Sequence, residues 1–356
     1  MRARIAAWLL AALGASPLHA ADHAVVLLYH HVSDTTPAST SVSPALFAKH
    51  LDYLASRGYT VWPLGRILEA LTSDGPIPDK TVAITFDDAY RSVLDQAGPL
   101  LAQHGWPYTV FVSTQAVDAG YRGYLSWDEL RTLVREGAEI GNHSYGHAHL
   151  VRHLAGESSS QWRVRVEGDI QRAQGELQHG LGVTPTLFAY PYGEYSDELR
   201  ALVAAMGYYG IAQQSGAVGR EVDTLAVPRF PMAGGYAAMD RFAIRVASRP
   251  LPVGGVAVTP RILREGETVR HRFAFDLLPG DYRAAELACY GNDGTKLTFS
   301  RQPGGKGTRI GMPLPAWAAG RRKINCTAPS SAEDGVFYWY SQQWLVKRAD
   351  GTWYEE

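Results

Sequence analysis

Apolar residues follow two rhythms along this chain, and the change between them falls near residue 250. Before it, short apolar runs alternate with longer stretches in which apolar residues recur every three or four positions. Ala24–Tyr29 and Val82–Phe86 are continuous apolar or β-branched runs, the pattern of strands buried on both faces. Tyr59–Trp62, Tyr108–Val112, Thr186–Tyr190, Tyr208–Ala212 and Leu225–Pro228 repeat it. Between them, Ser43 and Pro44 read as a cap and first residue of a helix with Phe47, Leu51 and Leu54 on one face, closed by Gly58. Further helices are predicted over Leu64–Leu71, Val93–His104 and Trp162–His179. Two more run from the capping-box pattern at Ser126–Glu129 to Gly137 and from Ser196 to about Gly207. This alternation predicts a parallel α/β domain, open or closed.

After residue 250 the helical period disappears. Pro250–Gly255 reads as a linker. Short alternating runs follow at Val269–Phe275, Ala284–Tyr290, Lys296–Phe299, Val336–Tyr340 and Trp344–Val346, separated by glycine-rich turns. They predict a small antiparallel β-sandwich over residues 256–356, behind an α/β domain at 21–249 and a linker at 250–255. Trp317, Phe337, Tyr338, Trp339, Tyr340, Trp344, Trp353 and Tyr354 make it aromatic-rich. They would either offer a carbohydrate-binding face, retaining a polymer by multivalency, or pack into core and interdomain contacts.

The N-terminus carries a different signal. Met1–Arg4 is basic, Ile5–Ala15 is apolar but too short to span a bilayer, and Ser16–Ala20 has the look of a cleavage region. Residues 1–20 therefore read as a secretory signal peptide, with a mature chain free of membrane-spanning segments and an exported, periplasmic or extracellular protein. Export bears on Cys289 and Cys326, the two cysteines, which are expected to form one disulfide. The formal net charge of -1 gives no electrostatic footprint for nucleic acid.

Three strand-end signals carry candidate chemistry. Asp87 and Asp88 close the Val82–Phe86 run; on a regular strand they would point to opposite faces, so sharing a site requires the backbone to turn there. His143 and His147 can converge on one ion, and with a carboxylate they form a two-histidine, one-carboxylate set that leaves positions open for water and substrate. Tyr190–Gly193 is a tight turn whose backbone N–H groups can face a developing oxyanion.

Together, Thr85–Asp88, His143-Ser144-x-x-His147 and the Pro191–Gly193 turn resemble the first three motifs of the polysaccharide deacetylases, carbohydrate esterase family 4. The likeness spans roughly residues 24–232. It implies a distorted (β/α) barrel with fewer than eight strands and metal-dependent hydrolysis of N-acetyl, sometimes O-acetyl, groups on sugars. In most of that family an arginine precedes the turn; here the position is Ala189. Arg229, at another strand end, is the candidate for the missing guanidinium. The usual acid histidine comes late in the domain, whereas here the best candidate is His30, with His31 as its neighbour. Both departures resemble the branch acting on poly-β-1,6-N-acetylglucosamine.

The resemblance implies a role for each residue. Asp88, His143 and His147 would bind a divalent metal, commonly Zn2+, with Co2+, Ni2+ or Mn2+ as alternatives. Asp87 would be the general base, oriented by Arg229. The Tyr192 N–H would stabilise the oxyanion and His30 would protonate the departing amine. His149 reads either as a ligand at longer spacing or, preferred, as a loop residue near the ligands, and Tyr90, Trp127 and Tyr145 as groove-lining or packing aromatics. The partner implied is an acetylated amino-sugar polysaccharide. A chitooligosaccharide, peptidoglycan or O-acetyl-sugar deacetylase, or a non-catalytic polysaccharide-binding protein, are the alternative readings.

Overall fold

The structure is a computed structural model and describes residues 20–258, 260–267 and 272–355. The expected signal peptide lies outside the described residues except for Ala20, which pairs antiparallel with Pro78. The start of the expected Val269–Phe275 strand also lies outside them; Arg272–Leu277 is strand.

A curled sheet organises the first domain. Its path runs Tyr209–Ile211, Leu187–Ala189, Glu139–Asn142, Thr109–Val112, Thr81–Phe86 and His23–Tyr29, all parallel, and ends on the antiparallel strand Ala217–Gly219. Residues 225–231 bridge the two edges of this path. The Ala212 and Val227 N–H groups donate to Val227 and Gly210 carbonyls at 2.9 Å, and Phe230–Pro231 pair in parallel with Leu27–Leu28. The result is a curled, irregular sheet of short and mostly parallel strands.

One face of the sheet gathers Ala24, Val26, Ala83, Phe111, Leu187, Ala189, Ile211 and Val227 around Leu64, Ile67 and Leu68 of the helix Leu64–Thr72. The other face, with Val25, Leu27, Ile84 and Val110, packs on the helix Pro44–Ser56 and its neighbours. Alternation along the central strand puts Thr85 and Asp87 on the side of Ala83.

The predicted helices form with local differences. Ser43, Ser126, Ser158 and Ser196 each cap a helix by accepting a backbone N–H, with full capping boxes at Ser126 and Ser158. The expected Val93–His104 helix is wide-turned over Val93–Ala97 and regular only from Gly98 to His104. Pro99 explains the change, because it lacks the N–H that an unbroken α-helix would use. The strand Ala217–Gly219 and the helices Thr114–Asp118 and Met239–Val246 are additions to the expected set.

The second domain is two packed sheets. One joins Phe337–Lys347, Gly320–Pro329, Ala288–Gly291 and Lys296–Leu297; the other joins Val253–Ala257, Arg272–Leu277, Thr308–Pro313 and Ser300–Pro303. The pairing is antiparallel apart from Arg249–Pro250 and Ile262–Arg264, which run parallel to Phe337–Lys347. The expected linker at 250–255 is thus drawn into the sheets, through Pro250 in one and Val253–Gly255 in the other. Cys289 and Cys326 face each other on neighbouring strands and form the expected disulfide in the core.

The hairpin Gly320–Lys347 joins the two domains. Ile324, Cys326, Trp344 and Val346 point into the sandwich core. Leu345 instead enters a cluster with Trp162, Tyr190 and Tyr195 of the first domain, and the Trp339 ring meets Phe230 edge-on at 5.2 Å. Most of the second domain's large rings lie in its core, and Trp353 and Tyr354 sit over Arg152. This packing favours the core-and-contact reading of the aromatic residues over an exposed binding face.

Candidate active site and metal centre

The central strand ends at Phe86, and the turn that follows resolves the problem of two adjacent carboxylates. Asp87 still extends the ladder, its N–H donating to Tyr29 at 3.0 Å. Asp88 and Ala89 then adopt positive φ, 73° and 56°, which swings the second carboxylate toward the same mouth of the sheet. Ser144, His147 and Tyr192 also have positive φ, so most of the strained non-glycine residues among those described line this one site.

Asp88, His143 and His147 each present a ligand atom, all within 4.8 Å of one another. Asp88 Oδ1 lies 3.3 Å from His143 Nε2 and 3.1 Å from His147 Nε2. For metal–ligand bonds of about 2.0–2.1 Å, tetrahedral geometry separates ligand atoms by about 3.3 Å. Asp88 Oδ1 is buried without a hydrogen bond, so two imidazole nitrogens and an orphaned carboxylate oxygen converge as the donors of a cation do. This donor set fits a divalent metal.

Surrounding residues hold the ligands. His143 Nδ1 donates to the Ala189 carbonyl at 2.8 Å, which turns Nε2 toward Asp88. Ala189, just ahead of the turn, thus contributes its backbone carbonyl to the site. The His143–His147 loop is fixed by Asn142, whose Oδ1 accepts from Ser144, and by Asp169, whose carboxylate accepts the Tyr145 and Gly146 N–H groups. Ser144 Oγ accepts from His147 N–H at 3.0 Å.

Beside the donor set lies a second buried system. Arg229 donates from Nη1 and Nη2 to the two oxygens of Asp87 at 2.7 and 2.8 Å, from Nη1 to Thr85 Oγ1 at 3.1 Å, and from Nε to the Ala212 carbonyl at 2.9 Å. The segment 225–231, which bridges toward both edges of the sheet, delivers this arginine. Gln213 Nε2 adds a donor to Asp87 at 3.3 Å.

The charges set one another. Burial alone would raise the Asp87 carboxyl, but Arg229, then His143, bring it below the ordinary value. Burial likewise opposes ionisation of Asp88, yet the His143 and His147 imidazoles hold it well below. His143 is shifted up despite burial, chiefly by Asp88 and Asp87. His30 also faces this cluster: burial lowers its pKa, while Asp87 and Asp88 oppose the shift.

The third expected element, the Pro191–Gly193 turn, forms with Tyr192 at φ 57° and Gly193 at φ 67°. Gly193 must be glycine twice over, because a Cβ there would stand 2.6 Å from the Gln213 side chain. The Tyr192 ring packs against His147 at 4.6 Å and stacks on His149 at 3.9 Å. Tyr190 is buried core, its hydroxyl donating to the Leu225 carbonyl.

The structure thus brings Asp87, Asp88, His30, His143, His147, Tyr192 and Arg229 to one mouth. Other candidates lie in its surroundings. His149 bonds Glu194 at 2.9 Å and is outside the donor set. His31 stacks on Tyr90 at 3.6 Å. Trp127 covers Gly180 and bonds Asp118, and Tyr145 sits under Arg172, so both are packing residues. Sequence reasoning missed Gln213, Asn142, Asp169 and Glu194. Gln213, Asp169 and Glu194 act through contacts far away in sequence, and Asn142 through a bond to Ser144 two residues on.

The chain is similar to known proteins in sequence and fold. The family Polysaccharide deacetylase matches residues 74–211. The poly-beta-1,6-N-acetyl-D-glucosamine N-deacetylase of Escherichia coli K12 is 25% identical over 221 residues, which cover 52% of this chain and 33% of that protein. The enzyme of the same name from Staphylococcus aureus is 23% identical over 209 residues, covering 57% of this chain and 71% of its own. The solved structure of IcaB from Ammonifex degensii superposes with a TM-score of 0.55 at 26% identity, over 64% of this chain and 97% of that one. Over residues 74–211 the sequence matches a polysaccharide deacetylase domain, and the curled parallel sheet is the fold of the solved deacetylases it resembles.

Proposed function

We propose that this protein removes N-acetyl groups from an exported poly-β-1,6-N-acetylglucosamine, releasing acetate and glucosamine units, with a divalent ion, most simply Zn2+, held by Asp88, His143 and His147. The observation that carries this reading is the orphaned Asp88 Oδ1 facing two imidazoles, beside an Asp87 held by Arg229. A bound divalent ion supplies Lewis acidity, lowering the pKa of water and polarising an acetyl carbonyl.

The chain's own residues do the rest. Asp87, ionised and fixed in direction by Arg229, takes the proton of the attacking water. The Tyr192 N–H donates to the oxygen that gains charge as the carbonyl becomes tetrahedral. His30, on the same mouth, gives a proton to the departing nitrogen, so the C–N bond breaks to an amine and a carboxylate. The basic and apolar N-terminus supports export, and no described helix is long and apolar enough to cross a membrane. Relatives named for poly-β-1,6-N-acetylglucosamine support the polymer.

The test is acetate release from β-1,6-linked, β-1,4-linked and peptidoglycan substrates, each with and without chelator. Chelator-sensitive release greatest on the β-1,6 polymer is expected. Release that is greatest on another substrate overturns the polymer assignment, and release that survives full metal removal overturns the metal assignment.

A further inference from the structure

The C-terminal domain reaches the catalytic turn directly. Along Gly320–Pro329 and Phe337–Lys347, strand pairing places Arg321 opposite Leu345 and Lys323 opposite Gln343, on the face turned away from the sandwich core. Gln343, fully buried, donates from Nε2 to the Gly193 carbonyl at 2.7 Å. Arg321 donates to the Tyr192 carbonyl and, at 3.3 Å, to Gln213 Oε1. Lys323 donates to the Gln213 backbone carbonyl at 2.8 Å.

These contacts fall on the parts of the site that are hardest to hold. Tyr192 and Gly193 are two consecutive left-handed residues, and a tyrosine gains by leaving that region. Escape changes φ at Tyr192, so the Pro191–Tyr192 peptide, which carries the Tyr192 N–H, must turn relative to the Tyr192–Gly193 peptide that follows it. Arg321 and Gln343 bind the two carbonyl oxygens that such a rotation would displace. Gln213 gains orientation from the same source. With Oε1 turned to Arg321, its amide NH2 is left to face Asp87 Oδ2.

We propose that Arg321 and Gln343 are positioning residues for deacetylation, fixing the turn that presents the Tyr192 N–H and, through Gln213, the carboxylate of Asp87. The C-terminal sheet is then a working wall of the active site and not a tethered binding module. This inference rests on the oxyanion role given to Tyr192 above.

The experiment compares Arg321→Ala, Arg321→Lys, Gln343→Met and Met312→Ala in the full-length, metal-loaded protein, measuring kcat and KM separately, metal content and Tm. Met312 is buried in the sandwich on the strand Thr308–Pro313, away from the turn, so Met312→Ala reports what a loosened sandwich does by itself. Methionine at 343 keeps the volume of glutamine and removes the donor. Arg321→Ala and Gln343→Met should each lower kcat by about tenfold or more, with KM within about twofold and metal content unchanged. Arg321→Lys should recover most of the loss. If both variants keep kcat within about twofold of Met312→Ala, the inference fails. A wild-type protein that releases no acetate from any substrate instead refutes the deacetylase reading itself, so the two failures are distinguishable.

Discussion

Arg229 and Asp87 form a two-pronged ion pair across 142 residues of sequence, and neither side chain is exposed to solvent. Two parallel N–H···O bonds fix the carboxylate plane as well as its charge. Arg229→Gln leaves a carboxylate buried without its cation, which destabilises by about 3–5 kcal/mol in comparable pairs. The pH dependence has a definite sign. In the folded protein Asp87 lies below its ordinary value, so its contribution to stability is present above the unfolded value near 3.8 and lost as pH falls through the folded one. Without Arg229, burial is opposed only by His143 and His30, so the carboxyl rises relative to wild type. The acid limb of kcat/KM should therefore move to higher pH in Arg229→Gln, and a pH–rate profile beside urea unfolding checks both effects.

The proposal gives the chain neighbours Asp87 and Asp88 separate roles, general base and metal donor, and substitution should separate them. Asp87→Asn keeps the three donors and the shape of the site, so bound metal should equal wild type while kcat falls by about 10²–10⁴-fold. Asp88→Asn removes the charged donor and should lower metal content and activity together. Metal analysis on dialysed protein, paired with acetate release, distinguishes the outcomes. An Asp87→Asn protein that is both metal-replete and active would contradict the general-base role.

His30 is the residue proposed to carry a proton to the leaving atom; it is partly exposed, and the Asp87 and Asp88 charges oppose the lowering of its pKa by desolvation. An amide nitrogen leaves poorly without protonation, whereas a phenolate leaves readily. His30→Ala should therefore lose about 10²–10⁴-fold on N-acetyl substrates and far less on an aryl acetate. Equal losses on both substrates would mean that His30 acts on something other than the leaving group.

The sequence made the site more legible than its supports. The alternation of strands and helices, the Ser43, Ser126 and Ser196 caps and the Asp87–Asp88, His143–His147 and Pro191–Gly193 signals are local patterns, and they survive into the fold. Arg229 was visible as a strand-end arginine with a missing partner to replace. Gln213, Asp169 and Gln343 gave no such sign, because the atoms they touch lie on elements far away in sequence. The linker expected at Pro250–Gly255 shows the opposite limit. Proline and glycine mark irregular backbone, but Pro250 and Val253–Gly255 still join sheet edges, where missing donors and bends are tolerated.

Outside the site, His50 ties the helix Pro44–Ser56 to the end of the first domain and gives a stability signal that owes nothing to metal. Its Nδ1 meets the Tyr29 hydroxyl at 3.0 Å and its Nε2 the Ala237 carbonyl at 2.7 Å, while the ring stacks on Phe242 at 4.0 Å. With Nε2 donating to the carbonyl, Nδ1 is the acceptor for Tyr29, so the neutral ring satisfies both partners. Burial lowers its pKa from 6.5 to about 4, against the raising effect of the Ala237 carbonyl. Above pH 6.5 both folded and unfolded chains hold a neutral ring and the contribution is complete. As pH falls toward 4, the unfolded chain takes up a proton that the folded chain refuses, and about 3 kcal/mol of stability is lost. Below the folded value the loss stops. His50→Gln removes this titration, so the difference in unfolding free energy between wild type and variant should narrow or reverse between pH 6.5 and 4 and stay flat above pH 7. Denaturant unfolding of both proteins in matched buffers across that range measures it, and a difference that does not change with pH would show that His50 is not held neutral by the fold.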